Sequence, residues 1–294
     1  MFSHAIICET ISERMETTMK TTVIGYPRIG SLRELKFASE AYFRNEITAQ
    51  ELQETGRQLR KAHWLAQKNA GIDLIPCNDF SFYDIFLDTA VLCNLIPKRY
   101  DELQLSSLDT YFAMARGYQG EHGDVKALAM KKWFHTNYHY MVAEIEDDVI
   151  PSLHADKLIA ECKEAIALGI DAKPIITGPF TLLKLARFTG RKTARDISQA
   201  IVSVYIELLQ LLQELDINWI QFDEPYLVHD LSKEDILFLQ EIYSEVLSAK
   251  GSIKVLLQTY FGDIRDCYSE VIHLPSRVKR LPRRRGLRPA RAIA

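Results

Sequence analysis

Apolar residues fall along the chain in two alternating patterns, short unbroken runs and longer stretches with helical spacing. TTVIG (residues 21–25), IDLIPC (72–77), KPIITGP (173–179), INWIQFDEP (217–225) and IKVLLQTYF (253–261) are rich in β-branched and aromatic residues and are bounded by turn formers, so each predicts a strand. Between the first two, Ser31 with Glu34 and Thr48 with Glu51 have capping-box spacing. They predict one helix running to about Asn45 and a second that carries Leu52, Leu59, Trp64 and Ala70 and is closed by Gly71. Further helices are expected over about 193–215, from Ser232, and from Asp263 to Val271. Residues 80–168 read as mostly helical, irregular near Gly117–Asp124, and too long for a single crossover; an insertion is expected there.

Continuously apolar strands separated by helices predict a parallel sheet covered by helices. A doubly wound sheet and a (β/α)8 barrel both meet that description. Asn78–Asp79, Asp223–Glu224 and Thr259–Tyr260 stand just past strand ends, where barrel active sites are assembled. No GxGxxG follows the first strand, which argues against a dinucleotide fold. The expected fold class is α/β, a TIM-type (β/α)8 barrel, incomplete, with about five of its eight strands. Residues 1–20 are expected to be a loose extension, 21–274 the barrel domain, and 275–294 an unstructured tail.

Composition adds little until it is split along the chain. The 294 residues are 47% hydrophobic, enough for a sizeable core. No run approaches the ~20 apolar residues of a bilayer span, and FSHAIIC lacks the basic start of a signal peptide, so the expected location is cytoplasmic. All 39 acids lie at or before Glu270, whereas Arg277, Lys279, Arg280, Arg283, Arg284, Arg285, Arg288 and Arg291 crowd the end. Such a tail could neutralise nucleic-acid phosphates, but no aromatic residue interleaves it to stack on bases. A shifted reading frame explains its composition better, and nucleic acid is not an expected partner. The five cysteines form no CxxC and no His/Cys cluster at zinc spacing, so free thiols are expected.

The chemistry starts at the first strand-to-helix corner, where Arg28, Arg33 and Lys36 cluster. A helix N-terminus offers unpaired N–H groups and partial positive charge, so cations added there make a receptor for a multiply charged acid. The plainer reading is solvated charge paired with Glu34 and Glu40. In chain order, GYPRIGSLRELK, RKAHWLAQKNAGIDLIPCNDFSFYD, KKWFHTNYHYMV, KPIITGPFTLLKLA and WIQFDEPYLV closely resemble the N-terminal domain of cobalamin-independent methionine synthase, over about Thr21 to Leu274.

That resemblance implies that Arg33, Glu34, Leu35 and Lys36, with Lys132, bind the glutamate chain of 5-methyltetrahydropteroyltri-L-glutamate. Arg28 joins them by proximity only. Asn137 and His139, with Tyr138, are expected to form a hydrogen-bonded wall beside the pocket. His135 and His139 are spaced i,i+4, but no acid lies between them and a metal pair is not expected. Asp223 and Glu224 could act as an acid–base pair. Buried structural ion pairing is the favoured reading for both and for Asp79, because the resemblance puts methyl transfer in another domain.

The zinc that activates homocysteine is likewise implied for a C-terminal barrel, with His, Cys, Glu and Cys ligands that no stretch of this chain matches. No cofactor and no catalytic residue is therefore expected here. The chain reads as the folate-polyglutamate-binding part of a C-terminally truncated methyltransferase that makes methionine from homocysteine, inactive alone. Two alternatives stay open: a noncatalytic module binding polyglutamyl folate, and half of a split enzyme completed by a separate catalytic chain.

Overall fold

The computed structural model describes residues 19–274 and the backbone of His4–Ile7; the Arg-rich tail lies outside the described residues. The first element, β1 (His4–Ile7), is followed in the described chain by α1 (Glu34–Phe43) and α2 (Ala49–Asn69). Thr48 and Glu51 form the predicted capping box on α2: Glu51 N–H donates to Thr48 Oγ1 (3.2 Å) and Thr48 N–H to Glu51 Oε2 (2.7 Å). The box expected at Ser31 does not form. Arg33 occupies the N-cap of α1 at φ 65°, without a side-chain cap, and the Glu34 carboxylate accepts from Leu32 N–H (3.0 Å) instead.

After α2 come β2 (Ile75–Cys77), α3 (Ile85–Leu92), α4 (Lys98–Asp101) and α5 (Ser107–Arg116). The expected helical insertion then gives way to small β elements. A hairpin of β3 (Tyr118–Gly120) and β4 (Gly123–Val125) is followed by a second of β5 (Met130–Lys132) and β6 (His139–Met141), then by β7 (Glu144–Ile145). Packing explains the departure, because Leu128 and Met141 join Leu87, Tyr100, Leu103, Phe112 and Met114 in a separate apolar cluster. Burial of each such side chain contributes ~1.5–3 kcal/mol, enough to override local helical preference.

Regular alternation resumes with α6 (Asp156–Ala167), β8 (Ala172–Thr177), α7 (Pro179–Leu185), β9 (Arg187–Phe188) and α8 (Ala194–Glu214). The chain continues through β10 (Trp219–Asp223), a 3-10 turn over Pro225–Val228, α9 (Lys233–Ser248), β11 (Lys254–Thr259) and α10 (Tyr268–Ile272). In space the main sheet runs β1-β11-β10-β8-β2. The four strands from β2 to β11 are parallel and lie in sequence order, as the start of a (β/α) barrel requires. The fold is thus α/β, an incomplete barrel.

Two predicted features at its margins differ. Residues 21–25 form no full strand; they touch β2 through a single parallel bridge, Thr22 to Leu74. Conversely, the leader is not loose throughout, since β1 pairs antiparallel with β11 from His4–Thr259 to Ile7–Leu256.

The strands are also less uniformly apolar than they read. Their outward residues Ile75, Cys77, Ala172, Ile176, Ile220, Phe222, Val255 and Leu257 pack beneath the helices in one large core with Tyr205, Leu208, Leu209 and Val246. On the inner face Leu74, Trp219 and Leu256 form a small apolar floor. One and two inward positions further along β10 from Trp219 stand Gln221 and Asp223.

Candidate functional site

Beside the apolar floor a buried polar cluster runs from Lys173, near the start of β8, through Gln221 in the middle of β10 to Asp223 at the carboxyl end of β10. Lys173, fully buried, donates from Nζ to Val23 O (3.0 Å) and to Gln221 Oε1. Gln221 Nε2 donates to Ile24 O (3.2 Å) and to Asp223 Oδ1 (2.7 Å), and Tyr260 Oη–H donates to Asp223 Oδ2 (3.3 Å). Asp79 Oδ2 accepts from Tyr26 N–H (2.7 Å).

Burial raises the Asp223 carboxyl to about 7, against the opposing pull of Gln221 and Lys173. It lowers the Lys173 ammonium to about 8, although Asp223 and Asp79 hold that charge. Burial likewise raises Asp79, and the backbone N–H of Tyr26 works against it.

Glu224 turns away from this cluster. Its Oε1 accepts from Phe180 N–H (3.0 Å) and from Tyr243 Oη–H (2.6 Å), and its Oε2 accepts from Thr181 N–H (2.7 Å). The carboxyl therefore closes the first turn of α7. A Cβ on Gly178 would lie 2.2 Å from Glu224 Oε1, so glycine is required there. Burial raises Glu224 to about 7. The expected ion pairing is corrected for Glu224, which has no cation partner among the described residues, whereas Asp223 and Asp79 both interact with the buried Lys173 charge.

The predicted glutamate-binding residues lie at the neighbouring first β/α junction. Arg33 and Lys36 occupy the first turn of α1, with Arg33 exposed and Lys36 half-buried. Lys36 Nζ is 3.5 Å from Glu40, and both cations lie near the Phe37 ring, at 5.9 and 5.7 Å. Among the described residues no carboxylate forms an ion pair with Arg33. Leu35 is buried against Leu59 and Phe80, so it anchors the turn and offers no side chain to solvent. Glu34 is held close by Gly30, where a Cβ would meet its Oε2 at 2.0 Å and where φ is +84°.

Arg28 is turned inward and donates to Tyr83 O. Lys132 is exposed at the end of β5, paired in register with His139 on β6. His139 and Asn137 are exposed on the same hairpin, and the i,i+4 helical geometry of His135 and His139 does not arise because the segment is β. Asn137, Tyr138 and His139 all face solvent, and among the described residues no side-chain hydrogen bond joins them into the expected wall.

Sequence reading overlooked Lys173 and Gln221, which tie the two neighbourhoods together. The available signal was a polar residue at the start of one apolar strand, KPIIT, and in the middle of another, WIQFD. Among the described residues no three His, Cys, Asp or Glu side chains are grouped to hold a metal ion. The four described cysteines are buried free thiols.

Parallel strands in sequence order, helices outside and polar groups at the strand ends define a domain of the (β/α)-barrel class, with a cationic corner at its first junction. More narrowly, the chain belongs to the cobalamin-independent methionine synthase family: the family described as "Cobalamin-independent synthase, N-terminal domain" matches residues 20–281.

Among relatives, the 5-methyltetrahydropteroyltriglutamate–homocysteine methyltransferase of Campylobacter jejuni subsp. doylei is 54% identical over 254 residues, 86% of this chain and 34% of that protein. The protein of that name from Streptococcus suis is 51% identical over 257 residues, covering 87% of this chain and 34% of its own. The chain thus spans about a third of the length of these relatives. A solved B12-independent methionine synthase from Shewanella sp. W3-18-1, in complex with selenomethionine, superposes with TM-score 0.49 at 13% identity, over 68% of this chain and 50% of that one.

Proposed function

We propose that this chain is a folate-polyglutamate-binding domain, the N-terminal part of a methyltransferase acting on 5-methyltetrahydropteroyltri-L-glutamate and homocysteine to make methionine. The observation that carries the reading is uncompensated charge. Arg33 is exposed without a carboxylate partner among the described residues, and Lys36 beside it has only a long contact to Glu40. A chain of γ-linked glutamates supplies the missing carboxylates, and charge-assisted bonds to them are the strong kind. The names of the relatives, which include the triglutamate, support the same substrate.

In this reading Arg33 and Lys36 meet glutamate carboxylates, Leu35 fixes the turn, Glu34 holds its backbone, and Lys132 approaches from the β5–β6 hairpin. Methyl transfer belongs to the other two thirds of the relatives' length. A separate catalytic chain is one way of supplying it, favoured by a sheet whose far edge at β11 is covered, among the described residues, by the four residues of β1. A cytoplasmic location accompanies this role. Among the described residues no helix is long and apolar enough to cross a membrane.

The test is a calorimetric titration with folyl triglutamate. Arg33→Ala and Lys36→Ala are each expected to weaken binding by about tenfold, the factor that ~1.4 kcal/mol makes. Lys132→Ala should do the same if the hairpin closes on the tail. Unchanged affinity in all three variants contradicts the proposal.

A further inference from the structure

The segment that leads into Arg28, Arg33 and Lys36 is attached to the sheet in an unusual way. One bridge, Thr22 to Leu74, is its whole share of the ladder. Thr21 N–H donates to Asp73 Oδ2 (2.6 Å) and Thr22 Oγ1–H to Leu74 O (2.7 Å), and residues 23–26 are held by side chains from the inner face: Lys173 Nζ on Val23 O (3.0 Å), Gln221 Nε2 on Ile24 O (3.2 Å), and Asp79 Oδ2 on Tyr26 N–H (2.7 Å).

Lys173 and Gln221 are fully buried, bonded to each other, and stand near an apolar floor where leucine would be far cheaper to bury. A buried ammonium is tolerated only when its donors are matched, and here one of them is matched by a main-chain carbonyl of the neighbouring segment. Between Tyr26 and Glu34 the chain forms neither strand nor helix. The path of the chain to Arg33 is thus set by these side-chain bonds upstream, by the bond of Arg28 to Tyr83 O within the turn, and by Leu35, buried on Leu59 and Phe80, downstream.

Resting on the folate-polyglutamate reading, we infer that Lys173 and Gln221 are positioning residues for that substrate, fixing the Val23 and Ile24 carbonyls so that the following turn presents its cations in register with the glutamate chain. They touch no part of the ligand. Their effect on binding runs through the backbone of residues 23–33 and falls on the glutamate tail, not on the pteridine end.

The experiment titrates the full chain and its Gln221→Leu variant with folyl triglutamate and folyl monoglutamate, and follows amide hydrogen exchange on both proteins. Gln221→Leu is expected to lose about tenfold in triglutamate affinity, equivalent to ~1.4 kcal/mol, while monoglutamate affinity stays nearly unchanged. Protection should fall across residues 22–36 and persist in α8. Gln221→Glu, which keeps the acceptor for Lys173, should lie between the two. If Gln221→Leu does not fold, Lys173→Gln carries the same comparison. A folded variant that keeps the full triglutamate preference of the wild type overturns the positioning role and leaves the proposed function standing. Wild-type protein indifferent to glutamate number overturns the proposed function, and the positioning role with it.

Discussion

Asp223 and Glu224 are neighbours in the chain and live in opposite surroundings. Asp223 faces the inner polar cluster, and Glu224 faces the first turn of α7. Both carboxyls are raised by burial to about 7, above the usual unfolded values near 4. The native chain therefore holds more protons than the unfolded chain between about pH 4 and 7, and stability falls as pH rises through that window, by ~1.4 kcal/mol for each unit of difference.

Denaturant midpoints measured at intervals across this range should decline, and Asp223→Asn should flatten the decline; a flat wild-type profile contradicts it. Carboxylates lowered by hydrogen bonds, such as Asp73 and Asp196, act below the window and do not mask it. Lys173 has the opposite sign: its folded value of about 8 lies below the unfolded one, so its cost is relieved as pH rises above about 8. Glu224→Ala leaves two helix N–H groups and the Tyr243 hydroxyl without their acceptor, and is expected to cost ~2–4 kcal/mol in an unfolding experiment.

At the scale of elements, the two helices after the first strand-like segment differ in how they begin. Helix α2 has a full capping box, and Thr48→Ala should lower stability by ~1 kcal/mol in thermal or denaturant melts. Helix α1 has no side-chain cap; its start is built from Gly30, a left-handed Arg33 and the Glu34 carboxylate. Capping spacing alone does not separate these cases, because Ser31–Glu34 and Thr48–Glu51 look alike in sequence.

The strands β2, β8, β10 and β11 were legible from their apolar runs, and α2, α8 and α9 from capping and period. The β5–β6 hairpin was not, because its form depends on Met141 joining the cluster around Tyr100 and Phe112. Nor was the weak attachment of residues 21–25, which are as β-branched as any strand but meet only one ladder partner. At the site, Arg33 and Lys36 were readable as cations at a helix start. The inward turn of Arg28 onto Tyr83 O, and the Lys173–Gln221 link, depend on contacts between distant parts of the chain.

At the scale of the molecule, four parallel strands make half a barrel wall, and a wall has edges. An unpaired edge is a template for association, and β1 covers that of β11 over four residues. A chain beginning at Met19 should therefore scatter more light with concentration than the full chain does; equal scattering would show that β1 does not protect that edge.

The cationic corner lies at the other end of the sheet, where residues 21–26 meet β2, so the surface proposed to take the folate tail is set by the inner polar cluster and not by ladder bonds. The central claim is that this corner recognises the number of glutamates through charge. It is tested most directly by titrating wild-type protein with folyl triglutamate and folyl monoglutamate at about 50 and about 300 mM salt, where screening differs strongly. Binding of the triglutamate at least about tenfold tighter at low salt, with the gap narrowing at high salt, is the predicted result. Equal affinity for the two ligands, or a gap untouched by salt, would contradict it.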